Sequence, residues 1–152
     1  MERDKEELIA GVRPSAEALA KGTDKIALQY SANVFVGGDC KLTALSATLS
    51  WDEIFAAVAP VLMGSVAETR FRTVLEERLA QQALQDAQTV IPRAPAVRNV
   101  VLGGNVFNQI KIQLRALGYI RRLPGDESTE ARWQLTPQGD AAMTQLLTKK
   151  RR

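Results

Sequence analysis

The chain has 152 residues, 45% apolar and 24% charged, the balance of an ordinary soluble protein of one domain or two small ones. It has no histidine and one cysteine, Cys40, which removes Ser-His and Cys-His nucleophile activation, an internal disulfide and a cysteine-based zinc site. The net charge is +3, but the terminal Lys149-Lys150-Arg151-Arg152 run supplies four of the 20 basic residues, leaving 16 against 17 acidic ones.

Residues 1–9 are charged and helix-prone, and residues 10–24, with Pro14 and Gly22, read as a linker. No apolar run approaches the roughly 18 residues of a membrane span, and the charged N-terminus leaves no room for a signal peptide's apolar region. A lone cysteine fits the reducing cytoplasm, so the expectation is a cytoplasmic protein with no membrane, metal or cofactor.

Residues 25–50 read as a β-hairpin turning at Gly37-Gly38, since glycine supplies the positive φ of a two-residue turn. Facing positions then sum to 75. Ile26 faces Leu49, Leu28 faces Ala47 and Tyr30 faces Leu45, all on one side of the ribbon. The other side carries Lys25, Ala27 and Gln29 opposite Ser50, Thr48 and Ser46. A slip of one residue sends every apolar side chain to the wrong face, so the register is specified.

Ser50-Trp51-Asp52-Glu53 has capping-box spacing and opens a helix that buries Ile54, Phe55, Val58 and Leu62. Pro60 is expected to kink its end and Gly64 to stop it. Asp52 and Glu53 are adjacent acids in a first helical turn, where they complement the dipole rather than form a catalytic pair. Ser65-Val66-Ala67-Glu68 repeats the capping spacing before a helix expected to run to about Leu84, with Phe71, Val74, Leu75 and Leu79 inward. Residues 86–104 read as irregular, with Asn99–Leu102 as a short strand completing a three-stranded wing sheet. Neither Gly37-Gly38 nor Gly103-Gly104 is followed by the lysine and hydroxyl of a phosphate loop.

The stretch 105–140 carries the most information. Phe107, Ile110, Leu114 and Leu117 form the inward stripe of a helix over 105–117. That leaves Asn108, Lys111, Gln113 and Arg115 facing water or a partner. Gly118 ends the helix, Tyr119-Ile120 opens a strand, and Pro124–Glu130 is a tip bearing Asp126, Glu127 and Glu130. Trp133 and Leu135 return in a second strand. Thr136 caps a last helix with Pro137 at its first position and Met143, Leu146 and Leu147 buried.

A helix delivered straight into a β-hairpin implies an α+β fold. It is a winged-helix core of three helices, a β-wing and a C-terminal helix, with an N-terminal β-hairpin. The expected organisation is a charged helix end and linker over 1–24, one domain over 25–148 and a basic tail over 149–152. Charge is segregated by element. Residues 89–123 carry six basic residues and no acid, whereas 50–88 carry six acids against Arg70, Arg72 and Arg78. This is the pattern a nucleic-acid contact requires, and equally that of a solvated face. The leading expectation is a non-enzymatic module binding double-stranded DNA. Asn108, Lys111, Gln113 and Arg115 would lie on its recognition helix, with Arg121 and Arg122 on the phosphate backbone. The acids of the tip argue the other way, towards a protein-interaction or self-association module that forms a dimer.

The LGYIRR of 117–122 and the LTPQG of 135–139 resemble the frame of MarR- and PadR-type winged helices. LSWDEIFAAVAPVL (49–62), FNQIKIQLRALGYI (107–120) and WQLTPQGDAAMTQL (133–146) resemble the C-terminal region of a bacterial family of unknown function. Its N-terminal domain is flavodoxin-like, related to TIR and nucleoside deoxyribosyltransferase folds. That resemblance implies that residues 1–9 end a helical linker and that the chain is a fragment or a stand-alone version. It also implies a sensing or docking role beside an effector domain, in a setting of bacterial defence. No catalytic residue is carried over, because the family's nucleotide-processing domain has no counterpart here.

Overall fold

The structure, a computed structural model, describes residues 22–124 and 130–148. The charged segment 1–21, Asp126 and Glu127 of the tip, and the basic tail therefore lie outside the described residues. The fold is mixed α+β with five helices and two small antiparallel sheets among the described residues.

Strands β1 (Lys25–Val36) and β2 (Asp39–Ser50) form the expected hairpin in the expected register, Ile26 against Leu49 through Phe35 against Cys40. Gly37 and Gly38 hold φ of 54° and 86°, the left-handed conformations such a turn demands. Leu28, Tyr30, Ala32 and Val34 of β1 and Leu45, Ala47 and Leu49 of β2 are all buried, so one face of the ribbon is core.

Helix α1 (Trp51–Val58) starts as its sequence specifies. The Glu53 amide donates to Ser50 Oγ at 3.1 Å and the Ser50 amide donates back to Glu53 Oε1 at 2.8 Å. That amide bond comes first among the causes holding the Glu53 carboxyl below its ordinary pKa. A short 3-10 turn, Val61–Met63, follows Pro60.

The second capping pattern is not used. Ala67 is the N-cap of α2 (Glu68–Ala80), with no side-chain cap, and Val66–Ala67 form a short strand, β3. Ser65 instead accepts from Arg132 through both its hydroxyl and its carbonyl, at 3.2 and 2.9 Å. Sheet pairing along β3 therefore takes the residues that local spacing assigns to a cap.

Helix α2 ends at Ala80, short of Leu84, and a separate helix, α3 (Ala83–Val90), follows. The break lets α3 turn onto the hairpin. There the buried Tyr30 hydroxyl donates to Asp86 at 2.6 Å, and burial together with that bond pushes the phenol's pKa well up. The region expected to be irregular also holds β4 (Ala96–Leu102). This strand does not complete the expected wing sheet. It pairs antiparallel with β1, giving the order β2-β1-β4, with a bulge near Ser31–Asn33 and Asn99 at φ 57°. The bulge absorbs a residue that strict pairing cannot seat.

Helix α4 (Gly104–Ala116) leads into β5 (Ile120–Leu123) and β6 (Arg132–Leu135), and α5 (Pro137–Leu147) closes the described chain. The second sheet has the order β3-β6-β5. The end of α4 is a Schellman motif. The Tyr119 amide donates to Leu114 O at 3.0 Å and the Gly118 amide to Arg115 O at 2.9 Å, with Gly118 at φ 80°. Helix α5 docks on that junction, with Thr136 and Gln138 side chains donating to the carbonyls of Gly118 and Leu117. Leu146 and Leu147, expected to be buried, are exposed, whereas Met143 is buried. The hydrophobic cores beneath the two sheets are continuous through α1, α2 and α4.

Candidate nucleic-acid interface

The candidate surface is set by how α4 is held. Phe71 of α2, fully buried, stacks edge-on against Phe107 of α4 at 5.3 Å and against Trp133 of β6 at 6.2 Å. One side chain thus fixes the helix relative to the hairpin. The N-terminal end of α4 is anchored through the strand before it. Arg72 donates to the Leu102 carbonyl, and the Leu102 amide donates to Glu76 at 2.9 Å, while Arg72 and Glu76 pair at 3.4 Å.

Val106, Phe107, Ile110 and Leu114 of α4 are buried. At about 100° per residue, the opposite side of the helix is centred on position 112 and takes in 105, 108, 109 and 115. Asn105, Asn108, Gln109, Ile112 and Arg115 are all exposed, and Ile112 is 68% exposed. The side chains of Asn105, Asn108 and Arg115 make no hydrogen bond or ion pair with another described residue.

Two residues expected on this surface sit at its flanks and turn inward. The Lys111 side chain is only 14% exposed. Its Nζ donates to Glu68 Oε1 at 2.8 Å and lies 4.5 Å from the centre of the Phe107 ring and 5.8 Å from that of Trp133. The same Glu68 oxygen accepts from Trp133 Nε1 at 3.1 Å. Burial by itself raises the Glu68 pKa. The hydrogen bonds from Lys111 and Trp133 and the charges of Lys111 and Arg122 outweigh it, and hold the carboxyl below its usual value. Gln113 is half-buried, and its Nε2 is enclosed without a hydrogen-bond partner among the described residues. Neither side chain faces outward, because their positions are turned well away from the middle of the outer face.

Arg121 and Arg122 on β5 are both exposed, and Arg121 donates to Gln134 at 3.3 Å across the hairpin. Arg132, on the paired strand, is also exposed. Glu130 does not project as a bare acid. It accepts from the Thr69 amide at 3.2 Å and the Thr69 hydroxyl at 2.6 Å, in the first turn of α2, where a carboxylate is favoured. With Lys111 and Glu68 cancelling, the described residues of this surface offer Arg115, Arg121, Arg122 and Arg132 against Glu130. An open groove of about 660 Å³ runs between α4 and the hairpin, lined in part by Asn108, Ile112, Arg115, Arg122 and Trp133.

Asn105, Gln109, Ile112 and Arg132 were not among the expected contacts. The signal for the first three was present, since positions opposite a 107–110–114 stripe follow from the helical period alone. Among the described residues no cluster of three or more Cys, Asp or Glu could hold a metal, and no helix is long and apolar enough to cross a membrane. No protein-family model matches the chain, and no curated protein or solved structure is significantly similar to it.

Proposed function

We propose that this chain is a non-enzymatic winged-helix module that binds double-stranded DNA, with α4 in the major groove and the β5–β6 hairpin as its wing. The arrangement that supports this is a short strand between two helices, β3 after α1 and before α2. It pairs with the returning strand of a hairpin fed by α4, in the order β3-β6-β5. Helix α3 and strand β4 are then an insertion between the second and third helices of the motif, tied to the N-terminal hairpin. The observation that carries the reading is the outer stripe of α4, Asn105, Asn108, Ile112 and Arg115, beside the arginines of β5. Amides and guanidinium groups hydrogen-bond base edges, and arginines on the flanking strand meet phosphates.

The test is fluorescence anisotropy of mixed-sequence duplexes between about 50 and 200 mM salt. Affinity is expected to fall steeply with salt, and each of Arg121→Ala and Arg122→Ala to reduce the slope by about one. Absence of binding at the lowest salt would refute the proposal.

A second reading, a protein-interaction or oligomerisation module beside an effector domain, is favoured by one observation. Ile112 stands exposed in a groove that carries Glu68 and Glu130 as well as arginines. It predicts a dimer or partner complex that Ile112→Asp disrupts, measured by sedimentation.

A further inference from the structure

The middle of the α4 outer face carries no charge available to a phosphate. From N- to C-terminus the stripe reads Asn105, Asn108, Ile112, Arg115, and it spans about 15 Å at 1.5 Å per residue. Among the described residues the cation near its centre, Lys111, is held by Glu68 and two aromatic rings. Phosphate contacts are thereby left to the ends and flanks, to Arg115 and to Arg121 and Arg122. The centre is left to whatever complements the amides of Asn105, Asn108 and Gln109 and a branched aliphatic side chain.

We infer that the α4 face selects adenine–thymine pairs in the major groove, with Ile112 packing on a thymine methyl and Asn108 pairing with an adenine edge. This rests on the DNA-binding reading above. An asparagine amide can accept from adenine N6 and donate to adenine N7 together, a two-bond match that guanine, with acceptors at both positions, does not offer. Thymine carries the only methyl group in the groove, and Ile112, at 68% exposure, is the large apolar side chain that could cover it. A G·C pair at that place would set the cytosine N4 amino group against the Ile112 side chain. That donor would lose water and gain no partner. The arginines give the face the positive charge that draws a duplex, whatever its sequence.

The experiment compares three duplexes by competition anisotropy with the full chain: an alternating A·T core, the same core with uracil replacing thymine, and a G·C core. Uracil differs from thymine only in the absent methyl. The A·T core is expected to bind about tenfold more tightly than the G·C core. Uracil replacement should weaken binding by about fourfold, the worth of one buried methyl group. Ile112→Ala, an exposed helix position where alanine is well tolerated, should abolish the thymine–uracil difference, so that the two duplexes compete equally. Equal binding of the thymine and uracil duplexes would overturn the inference and leave DNA binding intact. Failure to bind any of the three would overturn both. A thymine preference that survives in Ile112→Ala would assign it to another contact and equally overturn this one.

Discussion

Lys111 and Glu68 meet across 43 residues of chain, and their contact decides what α4 presents. From its place on the helix Lys111 reads as an outward cation, because local spacing does not reveal that a carboxylate from α2 and the Phe107 and Trp133 rings converge on it. Glu68→Gln should therefore leave a poorly exposed ammonium without its counter-charge, at a cost of about 1 kcal/mol once solvent screening is allowed for. The pH dependence has a definite sign. The folded-state pKa of Glu68 is lowered. Its contribution is thus complete above the unfolded carboxyl value of about 4.3 and is lost as pH falls through the folded value. Denaturant melts between about pH 7 and pH 3 should show wild type losing stability on the acid side faster than Glu68→Gln, so that the curves converge. Parallel curves would mean the pair contributes nothing. Ile112 and Asn105 show the opposite case. Their exposure follows from the period of the inward stripe, and only the habit of seeking charge on a DNA-binding helix passes over them.

Elements whose signals are local are the ones the sequence specifies well. The β1–β2 register was legible because twelve-residue strands alternate cleanly and two glycines fix the turn. The α1 cap was legible because serine and glutamate lie three apart. Helix α3 and the full length of β4 were not, since prolines and glycines punctuate that stretch. The partner of β4, moreover, is β1, more than sixty residues earlier, rather than the neighbouring hairpin. The joint between α4, the hairpin and α5 makes a strong demand that local pattern hides. A Cβ at Gly139 would lie 2.0 Å from the Tyr119 carbonyl oxygen, which also accepts from the Thr136 amide at 3.0 Å. The obstacle is backbone and cannot swing aside. Gly139→Ala should lower stability by about 1–3 kcal/mol despite alanine's better helix propensity, as read from chemical denaturation. A neutral or stabilising result would mean the helix start shifts freely.

At the scale of the whole molecule, the β2-β1-β4 sheet and the β3-β6-β5 sheet share a core, and β4 leads directly into α4. The hairpin sheet thus serves as a platform that braces the helix through Arg72, Glu76 and Leu102, while the outer stripe of α4 and the arginines of β5 stay open. Sequence pattern gave the succession of helix, hairpin and helix. It did not give the bracing, because that depends on residues far apart in the chain. The most direct measurement is an amide chemical-shift map of the isotope-labelled protein titrated with a short duplex. Shifts concentrated in residues 104–116 and 120–123, with the exposed strand positions of β2 silent, are the predicted result. A protein that folds but shows no shifts at low salt, or shifts confined to the β2-β1-β4 sheet, would contradict the assignment of α4 as the DNA-binding element.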